Sequence, residues 1–255
     1  MGALVDYIGA DPWVLAACGA AILLGAVLQG VVGTGLALVA GPVLAWLAPE
    51  LVPVGILVAA MPIAVTSAVR ERAHMDVPGV TWAMVGRLPG GLVGAAAVAM
   101  LPVRGLQLLV AATVLLAVLA AVVTDARGVG ETPRRPRRST LVLAGVLSGV
   151  GGTTSGIGGP PIAIAFRNVG GPAIRSTLSI VLVLGAVLSI LSLALVGEVT
   201  LPRLAAGAAL IPLVMLGYLV AGLLRGRLDP AGVRAFVLGV SSLAGAGLMV
   251  DALTG

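Results

Sequence analysis

The sequence predicts an all-α integral membrane protein made of two inverted repeats, each a glycine-broken, re-entrant helix pair followed by three transmembrane helices. Three observations carry that prediction: the composition, two apolar segments interrupted by glycine, and the placement of the arginines. Of 255 residues, 59% are hydrophobic and 10% charged, with a mean hydropathy of +1.17. Soluble domains carry about 25% charged residues. The net charge of +5 comes entirely from arginine, since lysine is absent. Such a balance in a soluble chain would suggest nucleic acid, but on an apolar chain it reads as arginines held on cytoplasmic loops, and no nucleic acid is expected as a partner. One cysteine, Cys18, excludes an internal disulfide and a cysteine-based metal site. The one histidine, His74, sits in a charged stretch and reads as solvated. No metal or other cofactor is expected.

Apolar segments fall at 13–48, 51–69, 78–101, 105–124, 139–166, 176–197, 201–224 and 232–250. The first, preceded by Asp6 and Asp11 with no basic residue, reads as membrane-embedded rather than as a signal peptide. Its 13–48 span would make about 54 Å of helix, too long for one crossing and too short for two with a turn. A break at Gly33-Thr34-Gly35 resolves this, giving one helix in and a shorter one back. The four segments after 138 repeat the pattern, with the break in GGTTSGIGGPP, residues 151–161. That stretch holds five glycines, three hydroxyls and two prolines, a poor composition for uninterrupted helix.

The two halves also share local sequence. Leu88-Pro-Gly-Gly-Leu-Val-Gly94 corresponds to Ile211-Pro-Leu-Val-Met-Leu-Gly217, and Val32-Gly-Thr-Gly35 to Ser155-Gly-Ile-Gly158. Each of the latter precedes a Gly-Pro pair, Gly41-Pro42 and Gly159-Pro160. The repeats are therefore placed at 13–124 and 139–252, joined by a basic cytoplasmic linker at 125–138.

Arginines cluster at 70/72, 127/134/135/137/138, 167/175 and 225/227/234. If each broken segment returns to its own side and every other segment crosses once, all four clusters share one face, leaving Arg104 and Arg203 opposite. The positive-inside rule selects that arrangement, with both termini outside the cytoplasmic membrane. Three crossings per half, an odd number, make the halves inverted, an architecture common in secondary transporters.

Broken backbone is tolerated at membrane depth where it is buried or lines a cavity. The helix after each break would begin inside the membrane with free amide groups and the positive end of its dipole facing inward, an arrangement that suits a small anion. Glycines 156, 158 and 159 would let a ligand reach the backbone, Thr153, Thr154 and Ser155 would add hydroxyls, and Gly33, Thr34 and Gly35 would contribute from the other half. Close packing of helices is the competing use of such glycines and is expected for Gly90, Gly91, Gly94, Gly217 and Gly222. Arg175, followed by Ser176, Thr177 and Ser179, reads either as an anion guide or as a positive-inside anchor. Arg87, inside a span, reads as a snorkelling side chain or a vestibule charge. Gln29 is assigned either to substrate or to the partner helix.

These motifs, GTGLALVAGP in the first half and SGVGGTTSGIGGPP in the second, resemble those of the sulfite exporter TauE/SafE family, across about residues 13–250. The resemblance implies transport of sulfite, organosulfonates or related sulfur-containing or carboxylate anions across the cytoplasmic membrane. The first-half motif departs from the family, with Thr34 and Leu36 where a fuller glycine run is usual. An anion channel of the same architecture remains an alternative. An intramembrane enzyme is a weaker one, since no Asp, Glu or His lies deep in a span to act as base or metal ligand. The expected partners are the small anion and the lipid bilayer, an arrangement compatible with a homodimer.

Overall fold

The structure, a computed structural model, describes all residues except 1–10, 34, 72, 74, 127–134, 167–170, 225 and 255. Thr34, His74, Arg72, Arg127, Arg134, Arg167 and Arg225 thus lie outside the described residues. Those described form helices and connecting turns, with no strand among them. In chain order the α-helices are α1 Pro12–Val32, α2 Leu36–Leu47, α3 Val54–Glu71, α4 Val77–Met100, α5 Val103–Ala126, α6 Arg138–Ser155, α7 Gly159–Ala165, α8 Gly171–Leu195, α9 Leu201–Leu224 and α10 Pro230–Thr254, with a 3₁₀ turn at Pro49–Leu51.

The protein is a multi-pass membrane protein. Among the described residues seven helices, α1, α3, α4, α5, α8, α9 and α10, are long and apolar enough to cross a bilayer. Six were expected as full crossings. The seventh is α1, the first arm of the first broken segment, whose 21 residues reach about 31 Å. Its second arm, α2, has 12 residues. The other broken segment divides into 18 residues of α6 and only 7 of α7.

The chain folds into two compact units, and each draws on both sequence halves. The first comprises Met1–Ile63, Leu101–Leu115 and Val199–Gly255. Its core gathers Ile22, Leu36, Leu44, Leu51, Ile56, Leu210 and Val214, all buried. Helix α9 lies close against α1 because Gly217 offers no side chain: a Cβ there would sit 2.7 Å from that of Ala26. Gly207 brings α9 equally close to α3, where a Cβ would meet Val58 at 2.9 Å. Gln107 of α5 donates to the Ala45 carbonyl of α2 at 3.0 Å.

The second unit comprises Ala64–Met100 and Leu116–Glu198. Its central pair is α4 and α6, whose backbones touch through reciprocal glycines four residues apart. A Cβ on Gly86 or Gly90 would overlap the carbonyl oxygens of Val142 and Val146, and one on Gly145 would overlap that of Ala83. One on Gly149 would lie 2.6 Å from the Arg87 carbonyl. This is the small-residue packing that membrane helices use where apolar burial supplies no drive. Gly94 and Gly91 extend it toward Thr153 and Ser192, as the sequence suggests. Gly222 does not share the role assigned to it, for nothing lies within 4 Å of its absent Cβ. Phe166, Ile162, Val181, Leu141 and Val80 close the core of this unit.

Candidate functional site at the second helix break

The break in the second unit is narrower than its motif. Gly151 to Ser155 remain helical, so α6 carries the double glycine through its last turn because α4 packs against it. The chain turns at Gly156, which adopts the left-handed conformation at φ 75° that glycine alone adopts cheaply. The Gly156 and Ile157 amides donate back to Gly152 and Gly151 at 3.1 and 3.2 Å. Helix α7 then starts at Gly159, with prolines at 160 and 161.

Those prolines weaken the expected anion site at the helix end. Proline has no N–H, so with two amides already used the break retains only Gly158, Gly159 and Ile162 as backbone donors. A helix of 7 residues also sums few peptide dipoles. The hydroxyls are committed as well. Thr153 donates to Ser189 Oγ at 2.8 Å, Thr154 to the Val150 carbonyl at 2.9 Å, and Ser155 to the Gly151 carbonyl at 2.7 Å. All three side chains are buried.

The positive charge here comes instead from Arg87. It stands near the middle of the 24-residue α4 and is only 2% exposed, which overturns its reading as a snorkelling side chain. Its Nη1 donates to Ser148 Oγ, which in turn donates to the Gly158 carbonyl at 2.5 Å. The guanidinium rests in a cradle of three glycines. A Cβ would lie 2.6 Å from Nη2 at Gly152 and 2.7 Å from Nη1 at Gly158, and at Gly185 of α8 it would overlap Nε. Nε is buried and has no hydrogen-bond partner among the described residues. The sequence signal for this arrangement is an arginine deep in a span, next to Gly86 and one turn from Gly90 and Gly91.

In the first unit, the break falls where the sequence placed it. Gly33 caps α1 at φ 88° and α2 starts at Leu36. Gln29 serves this break from both sides, donating through Nε2 to the Gly33 carbonyl at 3.0 Å and accepting the Leu36 amide on Oε1 at 3.3 Å. The first amide of α2 is therefore already occupied. Gly35 is buried, and a Cβ on it would lie 2.8 Å from the Gln29 backbone nitrogen.

Arg175 lies in the first turns of α8. Its neighbours are engaged locally: Thr177 accepts the Asp76 amide at 3.1 Å, and Ser179 donates to Glu71 at 2.9 Å. Thus Gly33 and Gly35 belong to one compact unit, while Thr153, Thr154, Ser155, Gly156, Gly158 and Gly159 belong to the other, with Gly158 against Arg87.

Comparison with curated proteins and with solved structures finds no match. A sequence model of the family described as sulfite exporter TauE/SafE matches residues 17–248, the greater part of the chain. The glycine-broken, multi-pass helical chain belongs to the sulfite exporter TauE/SafE family of membrane transporters.

Proposed function

We propose that the chain is a secondary transporter that moves a small sulfur–oxygen anion, such as sulfite or an organosulfonate, across the cytoplasmic membrane. The ligand is assigned to the break in the second unit, near Arg87, Ser148, Thr153, Thr154, Ser155, Gly156, Gly158 and Gly159. The carrying observation is a buried guanidinium held against a break in the backbone, with glycine wherever a side chain would obstruct it. Ionisable groups inside a membrane are costly, and this cost favours a functional role. Gly33, Thr34, Gly35 and Arg175 stay in the proposal as residues to test; the Leu36 amide reaches a ligand only if Gln29 releases it.

Counterflow in proteoliposomes tests this reading. Labelled sulfite uptake is expected to saturate with concentration and to accelerate when unlabelled sulfite is preloaded. Flux that rises linearly, without acceleration by internal substrate, supports a channel instead.

The proposed topology, inverted repeats with both termini outside, rests on the arginine distribution. On a Cys18→Ser background, cysteines at Gly128 and Gly226 are expected to label from the cytoplasmic face only, and one at Gly197 from outside. Labelling of positions 128 and 226 from opposite faces contradicts the inverted arrangement.

A further inference from the structure

We infer that the second-unit site takes its anion singly charged, because among the described side chains Arg87 is the one buried charge beside the break. The inference rests on the proposed function and narrows its substrate class to oxyanions of charge −1: sulfonates with no second acidic group, and sulfite as its hydrogen-sulfite form.

The helices that build this site, α4, α6, α7 and α8, contain no Asp, Glu or His. Their only ionisable side chains are Arg87, Arg138 and Arg175. Arg138 is exposed at the start of α6, with its guanidinium carbon 5.2 Å from the centre of the Trp82 ring. Arg175 precedes Gly185 by about 15 Å of helix. Of the described carboxylates near these helices, Glu71 accepts from Ser179 and Asp76 donates its backbone amide to Thr177, both near the start of α8, while Glu198 lies beyond the other end of that helix. Facing the Arg87 guanidinium are Ser148 and Gly152 of α6, Gly158 just before α7 and Gly185 of α8, none of them titratable. Among the described side chains the site thus holds one buried positive charge, whose Nε donor has no partner among them.

A buried ion is tolerated when it is paired, and an uncompensated one is strongly disfavoured. A monoanion beside Arg87 makes a neutral complex. A dianion of the same size leaves one negative charge in a low-dielectric interior, surrounded by hydroxyls that already donate elsewhere. Discrimination therefore follows charge rather than size. None of the groups facing the guanidinium titrates, so the pH dependence is assigned to the ligand. Sulfite binding strengthens as pH falls and hydrogen sulfite replaces sulfite, and it levels off once the conversion is complete.

The test measures binding of methanesulfonate, sulfate and sulfite to the full chain in lipid nanodiscs over a range of pH. Methanesulfonate is expected to bind more tightly than sulfate by on the order of a hundredfold at every pH, and sulfite to approach methanesulfonate only in acid. Arg87→Lys should keep the preference with weaker binding, and Arg87→Gln should lose both affinity and preference. Equal affinity for sulfate and methanesulfonate, or sulfite affinity that ignores pH, overturns the inference while leaving the transporter reading intact. So does a monoanion preference that survives in Arg87→Gln. Failure of all three anions to bind the wild-type chain overturns both. The wild-type comparison needs no variant, so the inference stands or falls even if Arg87→Gln does not fold.

Discussion

Gly158→Leu is expected to abolish anion transport while the chain still inserts and packs. The Gly158 Cβ position lies 2.7 and 2.8 Å from the two Nη atoms of Arg87, so a leucine occupies the space in which the guanidinium rests. The obstructed group is the far end of a flexible side chain, so a small addition can be absorbed. Gly158→Ala should therefore retain transport with weakened apparent affinity, and only the larger residue should eliminate it. Loss of one hydroxyl is milder: Thr153→Ala or Ser155→Ala removes a hydrogen bond worth roughly 0.5–1.5 kcal/mol. Gly35→Leu should fail differently. Its side chain would meet the Gln29 backbone at 2.8 Å, which cannot move aside without reshaping the α1–α2 pair, so lost transport should come with a lower melting temperature. Counterflow rates and thermal unfolding in detergent, measured together, separate the two outcomes. Normal transport by Gly158→Leu would mean that the glycine only packs.

The second large effect is structural. Gly145→Leu should prevent the second unit from assembling, because its side chain would have to occupy the Ala83 carbonyl and approach the Arg87 amide at 3.0 Å. Overpacking a close-packed core costs about 1–3 kcal/mol; here the obstacle is helix backbone, which places the expected loss at or above the top of that range. Gly86→Leu meets Val142 in the same way. Gly222→Ala and Gly239→Ala, with nothing within 4 Å of the added atom, are the controls and should unfold like the wild type. Monodisperse yield and unfolding temperature in detergent are the measurements.

Much of this fold was legible because composition and glycine punctuation act locally. The Gly33 break followed from a segment too long to cross once, and the structure places a left-handed glycine there. The narrowness of the second break was not legible. Helix propensity argues against Gly151-Gly152, yet α4 packs on that turn and overrides it. The compact units also mix the sequence halves, and segment order alone does not encode that.

The chemistry at the second break was only partly legible. A helix dipole points to amide donors, although Pro160 and Pro161 remove two of them in plain view of the sequence. The role of Arg87 depends on Ser148, Gly158 and Gly185, which are far from it in the chain. Gln29 likewise closes its break through Leu36, a partner seven residues away that no periodicity singles out.

The central claim is that the anion sits at the second break, against Arg87. Anomalous diffraction from crystals of the full chain grown with bromomethanesulfonate, at a concentration that saturates its counterflow, tests this most directly. The account predicts a bromine peak beside the break, with sulfonate oxygens within hydrogen-bond reach of Arg87. A bromine peak found only elsewhere, with Arg87 still against Ser148 and no sulfonate beside it, would contradict it.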